Sequence, residues 1–113
     1  MRPDPKKLLY DVASACAAVR TFCQGRSLQD YDDDLMLRSA SERQFEIIGE
    51  ALTRLRELHP GVFAQIDAGP AIVAFRNRLI HGYDTVDSEI VWDIIQTKLP
   101  DLERVVGALM ESR

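Results

Sequence analysis

The most constraining feature of this chain is where its apolar residues fall. Across four stretches they return at steps of three and four, and nowhere do they alternate with a sustained period of two. Steps of three and four place side chains on one face of an α-helix, whereas a half-buried strand needs strict alternation. The chain is therefore expected to be all-α, an antiparallel up-and-down bundle of four to five helices with no sheet. Its 113 residues suit a single domain over residues 1–113.

The first stripe, Leu8, Leu9, Val12, Ala15, Cys16, Val19 and Phe22, predicts a helix from about Asp4 to Phe22, with Pro5 tolerated at its start and Gly25 as its stop. Ser27 to Asp34 reads as a polar connection, with Ser27-Leu28-Gln29-Asp30 as a capped turn. A second helix is expected from about Asp33 to Leu58, closed by His59-Pro60-Gly61. Its stripe of Phe45, Ile48, Leu52 and Leu55 is widened by Ile47, Ala51 and Leu58, which suits burial against both the core and a second subunit. After a short apolar segment, Val62 to Ile66, Gly69-Pro70 opens a third helix carrying Ile72, Val73, Phe75, Leu79 and Ile80, which ends near Gly82. Asp87 caps a fourth, with Ile90, Val91, Ile94, Ile95, Leu99, Leu102, Val105, Val106 and Leu109. Pro100 lies inside it and should kink or split it.

Composition narrows the functional classes. The net charge of -4 excludes a protein that coats nucleic acid by bulk positive charge, leaving only a local basic patch. The longest apolar runs are too short to cross a membrane, and the N-terminus resembles no secretion signal, so a cytoplasmic protein is expected. Cys16 and Cys23 lie two helical turns apart, about 10 Å, too far for a disulfide, and read as two buried thiols. With two histidines and no paired Cys or His spacing, no metal site and no cofactor are expected. Asp30, Asp32, Asp33 and Asp34 crowd together. They could attract a cation, but their spacing fits no calcium loop, and they suit the positive end of the following helix.

The segment that carries chemistry is Arg76-Asn77-Arg78-Leu79-Ile80-His81-Gly82-Tyr83-Asp84. Asn77 and His81 are four apart and share a helix face, while Arg76 must reach around from an adjacent one. A histidine moves protons near neutral pH, and an arginine grips phosphate with two prongs. Together, without a metal, they meet the needs of RNA cleavage through the 2′-hydroxyl. A single histidine fills one proton-transfer role at a time, and a two-fold dimer would bring two copies of His81 into one cleft. The spacing alone fits a solvated helix end better, with His81 against the helix dipole and the arginines paired to Asp84 or Asp87.

The order Arg76, four residues, His81, one residue, Tyr83 resembles the motif of the HEPN superfamily in its HepT-like toxin form. The Ile48-Gly49-Glu50-Ala51 step, the Arg76-Asn77 pair, the His81-Gly82-Tyr83 triplet, Val86-Asp87 before Val91-Trp92, and Leu99-Pro100-Asp101-Leu102 agree with it. The resemblance implies an all-helical homodimer with a composite cleft. It implies a metal-independent endoribonuclease toxin of a type II or VII toxin–antitoxin system, acting on RNA such as tRNA or mRNA. Its antitoxin would be an MntA-like nucleotidyltransferase that transfers AMP onto the motif tyrosine. Carried over, Arg76 and His81 are the catalytic pair, Asn77 and Arg78 support or orient, and Tyr83 is the AMPylation acceptor. The alternative is a non-catalytic HEPN binding partner of a minimal nucleotidyltransferase. Asp84 after the tyrosine and Ala74-Phe75 before the arginine depart from the family pattern. RNA binding would draw on Arg76 and Arg78, with Arg38, Arg43 or Arg54 as further members of a patch.

Overall fold

In a computed structural model, residues 4–82 and 86–111 are described. They form α1 (Pro5–Cys23), α2 (Leu28–Asp33), α3 (Leu35–Leu58), α4 (Pro60–Phe63), α5 (Gly69–His81), α6 (Ser88–Thr97) and α7 (Leu99–Glu111), with no strand among the described residues. The all-α expectation is met. Five helices have ten or more residues, and α2 and α4 are short, at six and four.

Helix boundaries follow local chemistry. Asp4 caps α1 by accepting from the Lys6 N–H, and Pro5 costs nothing in a first turn whose N–H groups lack intrahelical partners. After α1 the chain turns through Gly25, whose φ of +73° lies in the left-handed region that glycine enters without strain. The expected polar connection contains a helix of its own. Ser27 and Asp30 cap each other's backbone reciprocally, and the six residues of α2 hang from that box. Asp34 then ends α2 and caps α3, accepting from the Leu37 N–H at 3.0 Å. The second long helix thus starts at Leu35, two residues later than the expected start at about Asp33. Pro100 splits the last helix: α6 stops at Thr97, and Pro100 lies in the first turn of α7 where no N–H is needed.

The long helices pack in the order α5, α3, α1, α7, while α2 and α6 lie against each other and α4 against α3. The interior is apolar. Val12 and Val19 of α1, Phe45, Ile48, Leu52 and Leu55 of α3, Ile72 of α5, Val91 of α6, and Leu102 and Val106 of α7 are all essentially inaccessible. At about 25 cal/mol per Å2, each such side chain contributes roughly 1.5–3 kcal/mol relative to exposure, which makes the α1–α3 seam the main source of cohesion. Phe45 and Phe75 join α3 to α5 edge to face, with centroids 5.1 Å apart.

Three expected core residues are exposed instead. Phe22 yields its inward position to Cys23, which is one turn beyond Val19 and packs near Ser41. Ile80 is 41% exposed because Leu79, one turn after Phe75, takes the inward face. Ile90 points outward from the first turn of α6, where Val91 and Ile95 hold the core. Cys16 and Cys23 are free and buried, as their spacing required.

Candidate functional site

The site is built where α5 crosses α3. On α3, Gly49 removes the side chain that would otherwise fill the crossing. A Cβ built on Gly49 would stand 2.4 Å from Cγ, 2.6 Å from Cβ and 2.7 Å from Nε of Arg76. The arginine stem therefore lies in a notch that only glycine leaves open. Its side chain is 14% exposed.

The guanidinium nitrogens face different surroundings. Nη2 donates to Thr53 Oγ1 at 3.1 Å, and Thr53 itself donates to the Gly49 carbonyl at 2.8 Å. Nη1 lies 4.0 Å from the Glu50 carboxylate, beyond hydrogen-bond range, and Glu50 is largely exposed at 64%. Nε is buried and makes no hydrogen bond among the described residues. One edge of the arginine is fixed against α3 while another faces an exposed carboxylate at the rim.

His81 is the last residue of α5 and is exposed. It follows Arg76 by five residues, a rise of about 7.5 Å along the helix. Asn77 and Arg78 are exposed on the intervening turn. The helix ends at Gly82, whose N–H donates to the Arg78 carbonyl at 2.8 Å. The exposed groups of the motif thus share the C-terminal end of α5, where the helix dipole favours positive charge. Tyr83 and Asp84 lie outside the described residues. Arg78 also borders a small cleft with Phe75, Gly82, Val86, Asp87 and Ile90, between the ends of α5 and α6.

The other histidine is remote. His59 ends α3 and begins α4, and four residues on Phe63 packs on Gly69, the first residue of α5. His59 thus lies toward the start of α5, whereas His81 is at its end, and the 13 residues of that helix span roughly 20 Å. Among the arginines considered for a patch, Arg38 donates to the Asp32 carbonyl, Arg43 pairs with Glu46 at 3.4 Å, and Arg54 lines a groove on α3 with Glu50 and Asp11. The acidic cluster also has internal uses. Asp30 and Asp34 are caps, Asp33 accepts from Gln29, and Asp34 lies 3.5 Å from Arg26.

The sequence singled out Arg76, Asn77, Arg78 and His81. It did not single out Thr53, whose only signal is its place one turn after a mid-helix glycine. A larger cavity of about 680 Å3 lies elsewhere, between α1 and the α6–α7 junction, and none of the motif residues lines it.

The described residues thus form a helical fold with an arginine socketed between two helices and a histidine at the end of one of them. The chain matches the family model described as Ribonuclease HepT-like over residues 12–109, and it belongs to that family. It is 32% identical over 111 residues to "Putative RNase TTE0752" of Caldanaerobacter subterraneus subsp. tengcongensis, covering 95% of each chain. It is 31% identical over 107 residues to "Putative RNase MJ1380" of Methanocaldococcus jannaschii, covering 91% of this chain and 94% of the relative. It is 28% identical over 107 residues to "Probable ribonuclease HepT" of Thermococcus cleftensis, covering 91% and 93%. No solved structure matches the chain. Among the described residues, no helix is long and apolar enough to cross a membrane.

Proposed function

We propose that this ribonuclease-family chain is the toxin of a toxin–antitoxin pair, a metal-independent endoribonuclease that cleaves RNA through its 2′-hydroxyl. The observation that carries the reading is the setting of Arg76. A cation held in a glycine-cleared notch, with one nitrogen fixed and another facing the rim, is preorganised to receive phosphate. Arg76 would stabilise charge developing on the non-bridging phosphoryl oxygens. His81 would remove the 2′-hydroxyl proton, or deliver one to the departing 5′-oxygen. RNA supplies the nucleophile, and the products are a cyclic phosphate end and a free 5′-hydroxyl.

His59 is too distant to act as the second proton-transfer group, so a homodimer pairing two copies of His81 completes the reaction. Asn77 and Arg78, on the exposed turn between Arg76 and His81, would orient the RNA backbone. Silencing would come from an MntA-like nucleotidyltransferase that transfers AMP from ATP to Tyr83. The added phosphodiester puts bulk and negative charge two residues from His81, where the RNA phosphate must bind. Tyr31 is fully buried and unsuited to this, whereas Tyr10 is 58% exposed and is the natural control.

The test is expression of the chain without a partner, alongside cleavage of total tRNA and an unstructured oligoribonucleotide in EDTA by the purified protein. Growth arrest and cleavage are expected, with His81→Ala and Arg76→Ala losing both while keeping the helical circular dichroism spectrum. A wild type that cuts neither RNA and leaves growth unaffected would refute the reading. Mass mapping after co-expression with an MntA-like partner should place AMP on Tyr83, and a label on Tyr10 would refute that assignment.

A further inference from the structure

We infer that Thr53 is a positioning residue for cleavage, acting through Arg76, and that Gly49 makes this action possible. The inference rests on the reading that Arg76 binds the reacting phosphate.

A threonine hydroxyl has one proton and two lone pairs. The Thr53 proton is committed to the Gly49 carbonyl at 2.8 Å. Its oxygen can therefore meet Arg76 Nη2 only as an acceptor, and it does so at 3.1 Å. The hydroxyl's direction is fixed by its own helix, so the hydrogen bond sets the rotation of the guanidinium plane. An arginine side chain otherwise has several free torsions, and a wandering guanidinium would forfeit the advantage of a fixed cation.

Gly49 serves the same end from below. It lets Cβ and Cγ of Arg76 approach α3 closely enough for Nη2 to reach Thr53, one turn further along. Nε is buried, has no hydrogen-bond partner among the described residues, and is inaccessible to substrate. With Nε enclosed and Nη2 on Thr53, the Nη1 edge, nearest the exposed Glu50, is left to meet a ligand. Glu50 stands near that edge at 4.0 Å and is exposed, so it can swing away when a phosphate arrives. An ion pair this open is weak and easily displaced.

The experiment compares Thr53→Val, which keeps shape and loses the hydroxyl, with Thr53→Ser, which keeps the hydroxyl and loses a methyl. Both are assayed as the full chain on an RNA that the wild type cleaves, with thermal melts in parallel. A fixed guanidinium matters most in the transition state, so Thr53→Val should lower kcat by about 10- to 100-fold with KM changed far less. Thr53→Ser should recover most of that loss. A merely structural threonine would lower the melting temperature without this split. Equal activity in Thr53→Val and wild type, or equal losses in both variants, would overturn the inference while Arg76→Ala still abolishes cleavage. Retained cleavage by Arg76→Ala would instead refute the functional reading, and this inference with it.

Discussion

A single methyl group tests the α3–α5 crossing most directly. In Gly49→Ala the new Cβ would sit 2.4 Å from Arg76 Cγ, about 1 Å inside the 3.4 Å edge of ordinary contact. The clashing atoms are Cβ, Cγ and Nε, and rotation at the far end of the side chain moves only the last of them. Either α5 moves away from α3 or Arg76 leaves its notch. Overpacking of this kind costs about 1–3 kcal/mol. Losing the charge-assisted bond to Thr53 costs roughly 1.5–3 kcal/mol more if Arg76 is expelled. Replacing a mid-helix glycine by alanine returns about 1 kcal/mol of helix propensity. The net loss is therefore about 0–2 kcal/mol if α5 shifts and the bond survives, and about 1.5–5 kcal/mol if Arg76 is expelled, a fall in melting temperature of roughly 6–20 °C in the second case.

Gly107 supplies the control. It lies within α7, and a Cβ built there meets nothing within 4 Å. Gly107→Ala should therefore raise stability by about 0.5–1 kcal/mol. The same chemical change thus has opposite signs at two helical glycines. Thermal and urea melts of both variants, in one buffer, decide the matter. A Gly49→Ala protein as stable as Gly107→Ala would refute the argument that the notch exists to admit Arg76.

Other predictions follow from the fold. Burial pushes the Cys16 thiol up to about 12, with Glu103 adding to the rise and Arg20 opposing it. The folded state then holds a proton that the unfolded state releases near pH 9, so stability is fully present below that pH. It declines between about pH 9 and 12, at up to about 1.4 kcal/mol per pH unit from this group. Urea melts at intervals of one pH unit should show a shallower decline in Cys16→Ala, and an identical slope would refute the assignment. Asp34→Ala removes the cap of α3 and should cost about 1 kcal/mol, or roughly 4 °C, while Asp34→Asn keeps the acceptor and most of the stability. Equal losses in the two would mean that charge, through Arg26, outweighs the cap. Light scattering of the purified protein should give twice the chain mass, and a stable monomer that still cleaves RNA would remove the need for two copies of His81.

The helices were legible because their rules are local. Apolar periodicity marked α1, α3, α5, α6 and α7. Proline and glycine marked their ends. The pattern Ser27 to Asp30 marked a cap, although the six-residue helix that hangs from it was invisible, since a single short turn has no periodicity to read. Periodicity also misjudged Phe22, Ile80 and Ile90. Adjacent helical positions differ by 100°, and a stripe's edge cannot show which neighbour the core admits.

The candidate site divides in the same way. The residue types and spacing of Arg76, Asn77, Arg78 and His81 are properties of one helix, and the sequence determined them alone. That Arg76 is seated between two helices, with Gly49 opening the space and Thr53 turning the guanidinium, was decided by the crossing of α3 and α5. Gly49 and Arg76 are 27 residues apart in sequence. No local pattern encodes a contact of that separation. It arises because burying Phe45 and Ile48 on one helix and Ile72 and Phe75 on the other fixes where the two backbones meet. The sequence chose the cation, and the packing of the core decided which of its nitrogens would face outward.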